Sequence, residues 1–483
     1  MSVTGFFELK ARNTNLKTET IAGITTFLAM AYILFVNPSI LTGGFELALR
    51  TSLGLSPTAP IPAEYQSLDN VIRIGFTVAT ATAAAVATLI MALFGKMPFG
   101  LAPGMGENAF IAYTVIPSFT NVLITSHYMQ GESAAVFAVY LSLISVFFNG
   151  ILFLIFSVGG IREFIINSVP ETLRIGIGIG IGLFISLIGL ADIGIVEPGQ
   201  GTPIQLNTAL LSQGAFYLGL ISFFIAAALL IARVIGGFII AIIATTVVGG
   251  VMGYVSLPPA ILTVPDFATS IVPNLSTSFY LYFVLFGLGF PIAFSLFLVD
   301  FFDGVGTISG LATKAGLIDE KGKIKNINRT LISDALASIL APFFGTSTTV
   351  IYVESATGIE QGGKSGLTAL VISLLFFASI PLAPLFSVVP GFATGGVLVL
   401  VGLLFLSLAG KLVTNNDMTD TIPAFVTMIS IPFTYSITAG IGLGFISYVV
   451  LKLAAGKFRD LKLGSIIITI LFVIYFALLA TGL

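Results

Sequence analysis

The chain has 483 residues, 56% hydrophobic and only 9% charged, with a formal net charge of −2 and no cysteine. Soluble domains carry roughly 25% charged residues, so this composition belongs to a polytopic membrane protein; it excludes disulfides, thiol nucleophiles and thiolate metal sites. The lone histidine, His127, excludes a histidine-cluster metal site and a Ser-His-Asp triad, and the near-neutral balance leaves no basic footprint for nucleic acid.

In chain order, about 20 polar residues (1–19) come first. They lack the apolar core of a cleavable signal, so insertion is expected to rely on the first membrane helix. Apolar runs long enough to span follow near 20–41, 71–94, 133–157, 171–190, 215–234, 236–255, 288–312, 366–388, 393–410 and 436–453. Shorter or Gly/Pro-broken runs lie near 98–116, 331–344, 349–361 and 419–434. Together they predict about 14 crossings, with 465–482 left as either a fifteenth span or a helix lying along the membrane. Lys10, Arg12 and Lys17 place the N-terminus in the cytoplasm. The later basic clusters, Arg162/Arg174, Arg233, Lys314–Arg329 and Lys452–Lys462, then fall on the same side, opposite Asp192, Glu197 and Asp266.

An internal repeat is visible. LFISLIG at 183–189 recurs as LFLSLAG at 404–410, each after a proline loop (Pro170, Pro390). MPFGLAPGMGENAF at 97–110 pairs with APFFGTSTTVIYVES at 341–355. Seven spans per half is odd, so the halves run in opposite directions, and broken segments at corresponding positions point to a midplane site. Neither Pro103-Gly104-Met105-Gly106 nor GTSTTV sustains a helix; helices are expected to begin near Glu107 and Ile351, aiming their N-termini at one point.

Carboxylates stand where hydrocarbon disfavours them: Asp300 and Asp303 in one apolar run, Glu354 in a broken one, and Glu107 beside Asn108. A charge at the membrane centre costs about 3 kcal/mol or more, so these residues are read as a site for a proton or for a donor-rich solute. Asp300 and Asp303, spaced i, i+3, share a helix face, and two neighbouring acids in a dry setting cannot both ionise cheaply. Glu107 has a plainer reading as an acid complementing its helix dipole. Phe302, Phe110 and Tyr352 are candidate stacking partners. Gly358-Ile-Glu-Gln-Gly-Gly-Lys364-Ser365 matches the phosphate-loop pattern, but an apolar span follows it instead of a soluble βα unit, so a glycine-rich turn is expected. The glycines at 176, 178, 180 and 182 suit close helix packing.

PGMGENAF, FFDGVGTISGLATKAG and TSTTVIYVESATGIEQGGKSGLTAL resemble the AzgA-like purine permeases of the nucleobase:cation symporter-2 family, a likeness running from residue 24 to 453. The resemblance implies an all-α fold of 14 spans in two inverted seven-span repeats, with broken half-helices in spans 3 and 10. A core domain (20–157 and 274–388) would move against a gate domain (158–257 and 389–455), leaving 1–19 cytoplasmic and 456–483 as an appendix. It implies import of adenine, guanine or hypoxanthine by proton symport across the plasma membrane, with no cofactor or metal, and with a homodimer as one option for assembly. By position the family's essential span-3 Asn matches Asn108, its span-8 acids match Asp300 and Asp303, and its span-10 Glu matches Glu354. With the residues' own chemistry this places substrate binding on Glu354, Asp303 and Asn108, with Phe302 and Tyr352 alongside, and proton coupling on Asp300, Asp303, Glu354 and Glu107. One position departs: many members carry an apolar residue where this chain has Glu107. The same architecture also resembles anion carriers, an alternative that predicts basic residues or bare helix dipoles at the site.

Overall fold

The computed structural model describes residues 3–57, 59–157, 169–197, 199, 204–256, 258, 261–262, 275–317, 324, 326–406, 409–413 and 417–481. Arg162 and Asp266, used above for topology, lie outside that set. The first half contains α1 (Leu16–Met30), α2 (Ile33–Ser52), α3 (Gln66–Ile90), strand β1 (Leu101–Pro103), α4 (Met105–Phe110), α5 (Ile116–Thr125), α6 (Gly131–Ser157), α7 (Glu171–Ile193), α8 (Gly214–Ile231) and α9 (Gly237–Val251). β2 (Val196–Glu197) pairs antiparallel with β3 (Gln205–Leu206). The second half contains α10 (Leu275–Val284), α11 (Phe286–Lys314), α12 (Ile327–Phe344), strand β4 (Thr349–Ile351), α13 (Ser355–Glu360), α14 (Gly366–Ser379), α15 (Gly391–Phe405), α16 (Met418–Thr434), α17 (Ile437–Ala454) and α18 (Leu463–Thr481).

Among the described residues, eight helices are long and apolar enough to cross a membrane, or nine if a pair bent by 98° between α10 and α11 counts as one span. Three further apolar helices, including α9 and α15, are shorter. Local chemistry sets several helix starts. Asn15, Ser365, Asp417 and Ser436 each accept a backbone N–H from the first turn that follows, which satisfies a donor the helix itself cannot. Gly345, at φ 93°, ends α12 in a left-handed turn that a side chain would strain.

The two halves meet in the middle of the protein. β1 and β4 pair antiparallel, with Leu101 opposite Ile351 and Pro103 opposite Thr349. Each strand is followed by a short helix, a buried one beginning at Met105 and a half-buried one beginning at Ser355. Thr88 locks one strand by exchanging two 2.9 Å hydrogen bonds with Leu101. Pro170 and Pro390 sit at the N-caps of α7 and α15, which pack together at their glycines. A Cβ on Gly189 would lie 2.6 Å from the Gly395 carbonyl oxygen and 2.8 Å from the Val399 nitrogen. Gly176 and Gly180 approach the backbone of α16 in the same way, so the glycine run serves close packing. α18 lies against α17, where Thr469 donates to the Phe445 carbonyl and Phe472 stacks on Phe445.

The phosphate-loop look-alike carries its own anion. Fully buried Glu19 accepts hydrogen bonds from the backbone N–H groups of Lys364, Ser365 and Thr368 and from both hydroxyls, Ser365 at 2.8 Å and Thr368 at 2.6 Å. A carboxylate thus fills the place at the α14 N-terminus where a phosphate would bind. Gly358 packs against Ala22 and Thr26 of α1.

Candidate functional site

A cavity of about 740 Å³ opens between the β1–β4 pair and the α7–α15 pair. Met105, Gly106 and Glu107 reach it from the start of α4, and Val350 to Glu354 from β4 and the turn after it. Asp303 reaches it from α11 and Tyr32 from the junction of α1 and α2. Ile177, Ile181, Val401 and Phe405 supply the opposite, apolar wall. Towards one end the lining includes Glu171 and Arg174, in the first turn of α7, and Lys314, the last residue of α11. The volume lies within the ~300–1,000 Å³ range of small-molecule sites, which typically join apolar walls to a few placed polar groups.

Three of the four singled-out carboxylates, Glu107, Asp303 and Glu354, therefore face one space. Tyr32 Oη donates to Glu354 Oε1 at 2.7 Å, which fixes one oxygen of that carboxylate. Glu354 is also the N-cap of α13, without a side-chain capping bond of its own. Tyr352 Oη donates to the Pro103 carbonyl at 2.6 Å, pinning its ring across the two strands. Glu107 lies in the first turn of α4, with its carboxylate folded against Gly104. The dipole-complementing reading of this residue and its place on the cavity wall hold together.

Two assigned residues lie behind that wall. Asn108 is fully buried, accepts from the Ser347 hydroxyl and donates to the Pro103 carbonyl at 3.5 Å. It ties the broken segments together rather than lining the cavity. Asp300 is fully buried too, and its Oδ2 accepts from Asn149 Nδ2 (2.9 Å), Thr348 Oγ1 (3.0 Å) and Ser338 Oγ (3.2 Å). Being spaced i, i+3 does not put both aspartates in one space: Asp303 faces the cavity and Asp300 faces α6 and α12. Phe302 belongs to α11, but its side chain is outside the described set; Phe110 is buried and is absent from the cavity wall.

Sequence reasoning passed over Tyr32, Asn149 and Asp334. Tyr32 lies within the ITTFLAMAYILFVNPSIL stretch but carries no charge to flag it. Asn149 and Asp334 obey the polar-in-apolar rule that found the other acids, in FFNGILF and LISDALASIL. Among the described residues no group of three or more His, Cys, Asp or Glu suits a metal.

Many apolar helices around an open, acid-lined cavity are the build of a multi-pass membrane protein that handles a small solute. The Permease family model (Xan_ur_permease) matches residues 17–443, and the chain belongs to that family. It is 36% identical over 474 residues to the adenine permease AdeP of Escherichia coli (strain K12), covering 97% of this chain and 94% of that one. It is 34% identical over 470 residues to the guanine/hypoxanthine permease PbuO of Bacillus subtilis (strain 168), covering 97% and 99%. Among solved structures, the transmembrane domain of a cyanobacterial bicarbonate transporter, BicA, superposes with a TM-score of 0.57 at 14% identity, over 90% of this chain and 97% of that one. That likeness is one of fold.

Proposed function

We propose that the protein imports a purine nucleobase (adenine, guanine or hypoxanthine) by proton symport across the plasma membrane. The observation that carries this reading is the convergence of Glu107, Asp303 and Glu354 on one cavity. Carboxylates accept hydrogen bonds, and a purine edge offers ring N–H and exocyclic amine donors. Glu354, with one oxygen held by Tyr32, and Asp303 accept those donors, while another of the acids, Glu107 or Asp300, takes the coupling proton. The ring lies against Tyr352. Relatives named for adenine and for guanine/hypoxanthine support the substrate class.

In this reading 14 spans form two inverted repeats. The core (20–157 and 274–388) carries β1, β4 and the acids, and the gate (158–257 and 389–455) carries α7 and α15. The cavity lies along the boundary between them, and sliding of the core past the glycine-packed gate would switch access. With the N-terminus in the cytoplasm, Arg174 and Lys314 mark a cytoplasmic mouth, and this conformation faces inward. An anion substrate, as in the bicarbonate transporter of like fold, fits poorly beside three carboxylates.

Thermal-shift measurements on the purified protein against a nucleobase panel test the assignment, because a ligand that binds only the folded state raises its melting temperature by mass action. A purine is expected to stabilise wild type and to leave Glu354→Ala unmoved. A folded Glu354→Ala protein that responds to the purine as wild type does would overturn it.

A further inference from the structure

Behind the strand pair, among the described residues, five oxygen atoms have no hydrogen-bond partner: Asn149 Oδ1, Asp300 Oδ1, both carboxylate oxygens of Asp334, and Thr349 Oγ1. All four residues are at 0% exposure. They belong to α6, α11, α12 and β4, which hydrogen bonds bring together. Ser338 of α12 donates to Asp300 Oδ2 and also, at 2.9 Å, to the Thr349 carbonyl. One turn further along each helix, a Cβ on Gly304 would lie 2.9 Å from Asp334 Oδ2. Asp300 thus faces Ser338 while Gly304 faces Asp334, an antiparallel register that sets the two carboxylates on successive turns, roughly 6 Å apart along the axis. The missing side chain at Gly304 makes the room.

The local donors are spent. Asn149 Nδ2 serves Asp300 and Thr348, and both the Thr348 and Ser338 hydroxyls serve Asp300. These bonds fix the Asn149 amide so that its oxygen is left as an acceptor. No Lys, Arg or His lies in α6 or β4, and the last residue of α11, Lys314, pairs with Glu360. Arg329 of α12 is exposed, over the ring of Phe94. Two buried carboxylates without a basic partner are costly unless a cation joins them. A proton satisfies one donor–acceptor pair and leaves the remaining oxygens bare. A metal ion, unlike a proton, takes several oxygen ligands at once. Hard oxygen donors select alkali or alkaline-earth ions, and a single positive charge balances the pair when one of the two carboxylates keeps its proton.

We propose that Asp300, Asp334, Asn149 and Thr349 bind a sodium ion behind the solute cavity. This assigns Asp300 to the ion and leaves the coupling proton to the carboxylates that line the cavity.

The test is the melting temperature of the full-length purified protein, without nucleobase, as sodium chloride replaces choline chloride at constant ionic strength and pH. Wild type is expected to be stabilised in a saturable way by sodium, and Asp334→Asn to show no sodium-dependent shift. Wild type melting at the same temperature in both salts overturns the site, as does a sodium shift preserved in Asp334→Asn. A shift that follows pH but not sodium means a proton alone and overturns it as well. Should Asp334→Asn fail to fold, ²²Na⁺ binding to wild type and to Thr349→Val decides: saturable binding weakened in the variant supports the site, and no binding overturns it. A parallel nucleobase titration separates the two readings, since a purine shift without a sodium shift refutes only the ion site, and the reverse refutes only the purine assignment.

Discussion

Replacing Glu19 with alanine removes the anion around which the turn 363–368 is built. Three backbone N–H groups and two hydroxyls, those of Lys364, Ser365 and Thr368, lose their acceptor at once. A hydrogen bond to a charged group contributes ~1.5–3 kcal/mol, but these share one carboxylate and are not additive. The turn lies near the surface, beside exposed Glu360, so water can satisfy part of the loss. Breaking one partner of a buried charged cluster typically costs about 3–5 kcal/mol, and the low end applies here. Unfolding entropy of ~2.1 cal/mol/K per residue gives roughly 1 kcal/mol/K for a chain this long, so Glu19→Ala is expected to melt about 3 °C below wild type. Glu19→Gln falls between them, since its amide N–H₂ meets donors. Because the emptied turn retains the geometry of an anion site at a helix N-terminus, sulfate is expected to restore part of the loss in Glu19→Ala while leaving wild type unchanged. The assay is a melting curve with and without sulfate at matched ionic strength. A Glu19→Ala protein within about 1 °C of wild type would refute the reasoning.

Three further outcomes follow from the geometry. Gly189→Ala places a methyl 2.6 Å from the Gly395 carbonyl oxygen; overpacking of this kind costs ~1–3 kcal/mol, read as a lower melting temperature, and an unchanged one would mean that α7 and α15 do not meet so closely. Tyr32→Phe frees the Glu354 oxygen held at 2.7 Å, and losing a charge-assisted bond of about 1.5–3 kcal/mol should weaken nucleobase affinity roughly tenfold or more, measured by ligand titration against the wild type. The Lys457 ammonium, with Thr419, holds the Asp417 carboxyl well below the usual carboxylate range. The folded pKa lies below the unfolded one, so the stabilisation is present above about pH 4 and is lost as pH falls from there towards the folded value. The difference in melting temperature between wild type and Asp417→Asn should therefore shrink between pH 6 and pH 3; a difference independent of pH would contradict the assignment.

Much of this was readable from residue cost and spacing. A carboxylate in an apolar run is expensive wherever it points, which is why Asp300, Asp303, Glu354 and Glu107 could all be singled out. Cost does not say which way each points. Asp300 and Asp303 lie on one helix face in a coarse sense, yet the roughly 60° between positions i and i+3 sends them to different neighbours. Asn108 was placed by resemblance, and tertiary contacts turn it towards Ser347 and Pro103. Tyr32 left no trace because a tyrosine in a membrane helix is cheap at many positions, and only its partner 322 residues away gives it a role. The Gly358–Ser365 motif was rightly discounted on context, but what fills it, Glu19 from the far end of the chain, is a long-range contact that no local pattern encodes.

The central claim is tested most directly by uptake of labelled hypoxanthine, adenine and guanine into proteoliposomes under an imposed inward proton gradient. The account predicts that wild type accumulates at least one purine, that a protonophore abolishes the accumulation, and that folded Glu354→Ala does not accumulate it. Accumulation by folded Glu354→Ala at the wild-type rate, or wild-type uptake indifferent to the gradient, would contradict it.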